Sequence, residues 1–141
     1  MASPRKLFSW EGIGAKYATF KIDNSTITYD VDEAGGSAEV GFAVGLSADE
    51  TVQLVSDAEG VLGKLIKVEE DDTCTVQVRG YMTLPGGTSA TLTLGSAVVG
   101  DLLVAAKGYI RVVDTAAAAE LGVCRGTIVD AGTSTAVWVL L

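Results

Sequence analysis

Two runs of carboxylates are the first places where this 141-residue chain could do chemistry. Asp30, Asp32 and Glu33 form DVDE, and Glu69, Glu70, Asp71 and Asp72 form EEDD. Paired carboxylates can hydrolyse glycosidic bonds or hold a hard cation. DVDE, however, lacks the ligand spacing and central glycine of a calcium loop. EEDD falls between two strand-like segments, where a turn is expected and acidic side chains are simply solvated. The chain has no histidine. That removes the commonest general base, the catalytic triads built on it and most zinc sites. Cys74 and Cys124 are too far apart for a Cys-x-x-Cys half-site and read as free buried thiols. Gly12-Ile13-Gly14 begins like a dinucleotide fingerprint but lacks the third glycine, the preceding strand and the following helix. This inventory argues against an enzyme and implies no cofactor and no metal.

The elements that would carry these residues are nearly all strands. From Cys74 to Leu84 the residues alternate, with Cys74, Val76, Val78, Gly80, Met82 and Leu84 on one side and polar groups on the other. Period-two alternation marks a half-buried strand. The preceding VLGKLIKV reads as its hairpin partner, with EEDD as the connection. Further strands are expected at Ala18 to Asp23, Thr26 to Val31, Glu39 to Val44 and Thr51 to Val55. Others are expected at Ala90 to Leu94, Asp101 to Ala105, Tyr109 to Val113, Gly122 to Asp130 and Thr135 to Leu141. Gly-rich turns separate them at short intervals, which predicts an all-β fold, a small barrel or sandwich. One stretch differs. Thr115 to Leu121 is rich in Ala, can be capped by Asp114 or Thr115, and is followed by Gly122, so it predicts a helix of one or two turns.

The last strand is apolar on both faces: Ala136, Trp138 and Leu140 on one, Val137, Val139 and Leu141 on the other. Such a strand is either central between covered faces or part of a subunit contact. Val137, Trp138, Val139, Leu140 and Leu141 are therefore candidate interface residues, and Trp138 reads as buried.

Charge is unevenly spread. The chain carries −8 overall, yet the first 21 residues hold Arg5, Lys6, Lys16 and Lys21 against Glu11 alone. The other 120 hold six basic and 17 acidic residues. Residues 1–17 read as an arm in which Leu7, Phe8, Trp10, Ile13 and Tyr17 accompany the cations; residues 18–141 read as one β-rich domain. An arm so apolar and basic is expected to dock on a partner surface, while the acidic body disfavours nucleic acid. No run approaches the roughly 20 apolar residues of a membrane span, and no secretory signal is visible, so a soluble protein made in a cytoplasm is expected.

The segment VLGKLIKVEEDDTCTVQVRGYMTLP, followed by GGTSATLTLGSAVVGD, resembles the capsid decoration (cement) proteins of tailed bacteriophages. The resemblance covers Glu39 to Leu141 and rests on layout, with Gly63-Lys64-Leu65 and Val78-Arg79-Gly80-Tyr81 its most recognisable pieces. It implies a small β-tulip-like protein, often a homotrimer, that binds the outside of the expanded icosahedral head. There it would clamp neighbouring major capsid proteins against the pressure of packaged DNA, with the arm ordering on the shell. On that view Arg5, Lys6, Leu7, Phe8, Trp10, Ile13, Lys16 and Tyr17 form the capsid-binding arm. An all-β carbohydrate-binding or host-adhesion module on the virion is the alternative.

Overall fold

The computed structural model describes residues 13–88, 92–133 and 136–141. Arg5, Lys6, Leu7, Phe8 and Trp10 lie outside the described residues. Ten strands hold about half of the described residues, and the fold is all-β as the alternation predicts. Five of them, β1 (Lys16–Ile22), β2 (Ala43–Ala48), β3 (Thr51–Leu54), β4 (Gly63–Val68) and β5 (Thr73–Arg79), close into a barrel in the order β1-β3-β2-β4-β5. Closure comes from β1, which runs antiparallel to β5 and parallel to β3. Three strands, β6 (Tyr81–Leu84), β9 (Thr127–Thr133) and β10 (Ala136–Leu140), form a sheet with β10 in the middle. A hairpin of β7 (Val98–Leu103) and β8 (Ala106–Val112) completes the fold.

The core has two parts. Ile22, Ile27, Val44, Leu65, Val68 and Val76 fill the barrel. Met82, Leu84, Val98, Ile110, Val137 and Val139 lie under the two smaller sheets. Ala43 belongs to the second part and Val44, its neighbour, to the first, so β2 feeds both. Each fully buried Val, Leu or Ile stabilises by about 1.5–3 kcal/mol relative to an exposed one.

Close backbone approach replaces bulk where aromatics are scarce. A Cβ on Gly63 would come within 2.0 Å of the Gln77 carbonyl oxygen, so only glycine lets β4 lie this close to β5.

Several expectations are corrected. Thr26 to Val31 forms no strand. The Asp23 carboxylate accepts from the backbone N–H of Ser25, Thr26 and Ile27, and this turn bends the chain away from any ladder. Ile27 still plugs the barrel, fully buried. The long strand from Thr73 to Leu84 breaks at Gly80, and its halves belong to different sheets. The strand expected at Glu39 to Val44 begins only at Ala43, and that expected at Gly122 to Asp130 begins at Thr127. Asp101 to Ala105 holds the end of β7 and a tight turn. The expected strand at Ala90 to Leu94 falls partly outside the described residues, and its described part, 92–94, is not a strand.

The helix shortens to α1 (Ala118–Leu121), without a side-chain cap. What holds it is Glu120, whose carboxylate takes both Arg111 guanidinium nitrogens, at 2.8 and 2.9 Å, and the Asp114 backbone N–H at 3.0 Å. Cys74 is buried as expected, and burial pushes its thiol up to about 11. Cys124 is only partly buried, because it follows α1 at the surface with its thiol turned toward the Leu121 carbonyl.

Candidate assembly surface

The described chain begins at Ile13 and is rooted at Gly80. Gly80 has φ +99°, and an added Cβ would lie 2.7 Å from the Ile13 carbonyl oxygen and 2.8 Å from Ala15 N. Three segments converge on it. The Tyr81 N–H donates to the Ile13 carbonyl at 3.0 Å, so the chain entering the body runs against the start of β6. Gly80 and Leu141 exchange backbone hydrogen bonds at 3.2 and 3.3 Å, which ties in the end of β10. The Gln77 amide, 2% exposed, donates to the carbonyls of Arg79 and Tyr81 and spans the kink. Sequence reasoning placed Gln77 on the solvent side of its strand. The kink folds β6 back over it, and those two carbonyls satisfy its amide.

Around this root stand cations. Lys16 pairs in register with Arg79 at the first rung of β1 and β5. Lys64 lies opposite Gln77 on β4 and donates to the Thr83 hydroxyl at 3.0 Å. Arg125 reaches across from the second lobe, donating to the Leu62 carbonyl at 2.6 Å and to the Val78 carbonyl. Burial, and then the nearby charge of Arg79, make the Arg125 guanidinium less basic than usual. A residue that seals two lobes through backbone carbonyls leaves no periodic mark, and Arg125 is not foreseeable from the sequence.

The opposite end of the barrel is acidic. The Lys21 N–H donates to the Glu50 carbonyl and the Ile22 N–H to the Asp72 carbonyl, so the β2–β3 and β4–β5 turns sit side by side at the far end of β1. Asp49, Glu50, Glu69, Glu70, Asp71 and Asp72 are all exposed there. Lys67 pairs with Glu69 at 2.9 Å on the surface, a contact of little energetic weight. EEDD is thus the solvated hairpin turn that its position predicts. Among the described residues no group of three or more His, Cys, Asp or Glu is placed to hold a metal ion.

The candidate residues divide. Ile13 is 49% exposed and Tyr17 is 56% exposed, so both present apolar surface at the root. Lys16 and Tyr17, counted with the arm, are strand residues of β1, which starts two positions earlier than expected. Val137 and Val139, counted as interface candidates, are fully buried in their own subunit, and Leu141 packs against the same core. Of the two apolar faces of β10, one, with Val137 and Val139, covers the core, and the other, with Ala136, Trp138 and Leu140, is turned outward. Trp138, expected to be buried, is half-buried on the outer face, and Leu140 beside it is 37% exposed. Tyr81 and Thr83 lie opposite Leu140 and Trp138 in register and share that face. Compared with protein-family models, with curated proteins and with solved structures, the chain finds no match.

Proposed function

We propose that this chain is a structural decoration protein. It binds the outer surface of an expanded icosahedral phage head and clamps neighbouring major capsid proteins against the pressure of packaged DNA. The observation that carries the reading is the polarity of the barrel. The arm enters at the end that holds Lys16, Lys64, Arg79 and Arg125, and at the other the exposed carboxylates of Asp49, Glu50 and Glu69 to Asp72 outnumber Lys21 and Lys67. A body polarised in this way is steered to an acidic surface arm first and leaves its acidic end toward solvent. Phe8 and Trp10 serve as anchors, because aromatics dominate interface energetics. The protein acts as a homotrimer, whose three arms bind together, and avidity multiplies their affinity by roughly 10²–10⁴.

The test is co-sedimentation with expanded heads that lack the protein. The full-length double variant Phe8→Ala, Trp10→Ala binds at least ~10-fold more weakly than the wild type, as loss of two aromatic anchors requires. Undiminished binding by the variant, or heads equally resistant to heat with and without the wild-type protein, overturns the reading.

One observation favours a second reading, a carbohydrate-binding module displayed on the virion. Trp138 and Tyr81 are half-buried neighbours on the outer face of the three-stranded sheet, where a sugar ring could stack. A glycan array probed with the isolated protein separates the two: selective glycan binding that is lost in Trp138→Ala supports the module.

A further inference from the structure

We infer that Lys16, Arg79 and Arg125 form a binding site for carboxylate side chains of a partner protein, seated on the Gly80 end of the barrel. This rests on the function proposed above and deepens it, because it names the group that the basic end takes hold of.

The fold brings these three cations together. Lys16 and Arg79 are partners across the first rung of β1 and β5, and paired residues of a ladder share a face. The Arg125 guanidinium is fixed beside them. It donates to the carbonyl of Val78, the residue next to Arg79, and to the carbonyl of Leu62. Arg79 is near enough for its charge to add to burial in making Arg125 less basic. Like charges directly opposite on a ladder, or held against a third, cost stability. Arg125 is tied by its two carbonyl bonds and cannot turn away, while Lys16 and Arg79 are exposed. A fixed guanidinium flanked by two accessible cations is preorganised for an anion.

The cluster is not neutralised within the described body, although the chain is rich in anions. Acidic residues outnumber basic ones 18 to 10. Elsewhere carboxylates come to the cations. Arg111 pairs with Glu120 at 2.8 Å and with Asp57 at 3.0 Å, and Lys67 pairs with Glu69. Among the described residues no carboxylate pairs with Lys16, Arg79 or Arg125. The acidic turns are gathered instead at the far end of β1. A cationic cluster that the fold assembles without a counter-charge is complementary to an anion from outside. Guanidinium forks match planar carboxylates, which accept two parallel N–H bonds from one Arg, and Lys16 adds a point charge. The surroundings favour a protein as the source. Tyr17 is 56% exposed and Ile13 is 49% exposed, and they add apolar contact area at the same end. An overall charge of −8 weighs against a nucleic-acid backbone.

The experiment is thermal unfolding of the isolated full-length protein in dilute buffer, with tetraglutamate peptide added at about 5 mM or with NaCl of equal ionic strength. The peptide raises the wild-type Tm by about 2–4 °C more than the salt does. Arg79→Gln and Lys16→Gln change exposed residues, so both fold. Without peptide each unfolds at least as high as wild type, because a like-charge contact is gone. Each also weakens the peptide's apparent affinity at least ~5-fold. Lys67→Gln, at the other end of the barrel, leaves the peptide effect unchanged. No stabilisation beyond that of salt, or an effect undiminished in both cluster variants, overturns the inference. Stabilisation by inorganic phosphate but not by the peptide overturns it too. So does a peptide effect seen only in Glu11→Gln, which would make the chain's own Glu11 the occupant. A wild type that ignores the peptide yet binds expanded heads would refute this site and leave the shell reading standing.

Discussion

Asp23 shows how one side chain redirects the chain. Its carboxylate gathers backbone N–H groups of the next turn and the Thr26 hydroxyl at 2.8 Å, and that hydroxyl accepts from the Leu54 N–H at 2.9 Å. The turn is thereby fastened to β3. Burial alone would raise the Asp23 carboxyl, but the hydrogen bonds from Thr26, Ile27 and Ser25 outweigh it and hold it below the usual carboxylate range. A depressed folded-state value stabilises the fold above the unfolded value of about 3.9, and that stability is lost as pH falls further through the folded value. Asp23→Ala should cost about 1–2 kcal/mol at neutral pH, the worth of a capping carboxylate. It should also flatten the acid limb of stability below about pH 4. Urea titrations of both proteins at pH 7 and pH 3 measure it: the gap between them closes at the lower pH.

At the scale of elements, the barrel and the three-stranded sheet are one hairpin path bent at a single glycine. The apolar residues keep their period across the bend, with Cys74, Val76, Met82 and Leu84 all buried and only the Gln77–Val78 step beside the kink out of phase, and so the two strands read as one in the sequence. Alternation reports which face is covered, and it is blind to a change in what covers it. Gly80→Ala should destabilise by about 2–3 kcal/mol, from its positive φ and from a Cβ pressed against the backbone of Ile13 and Ala15. It should also loosen the contact of Ile13 with Tyr81. Hydrogen exchange at Tyr81 and Leu141 reports this directly: both amides lose protection in the variant before the barrel amides do.

At the scale of the molecule, charge sorts by end. Four cations surround the Gly80 end, while at the opposite turns six exposed carboxylates outnumber the two cations there, Lys21 and Lys67. On the proposed function, attachment runs through the basic end and is salt-sensitive. Raising ionic strength from about 0.05 to 0.3 M should slow association with heads several-fold and change dissociation much less, because steering acts on encounter. Stopped-flow light scattering at the two salt concentrations gives both rates. Neutralising Lys16 and Arg79 should remove most of the difference.

The all-β class, the β4–β5 hairpin with its acidic turn and the absence of histidine chemistry follow from the sequence alone. Period-two alternation, turn residues and residue inventory are local properties of the chain. The basic character of the first residues is equally legible, though residues 1–12 lie outside the described ones. Only the tertiary structure decides that β1 closes the barrel against both β5 and β3, and that just one of the two apolar faces of β10 covers the core. The same holds for Arg125, which seals two lobes through carbonyls far away in sequence, and for Val104, which sits strained at an exposed tip. Each of these depends on what a residue meets across space or on the backbone region it is forced into, and neither is encoded in the spacing of side-chain types along the chain.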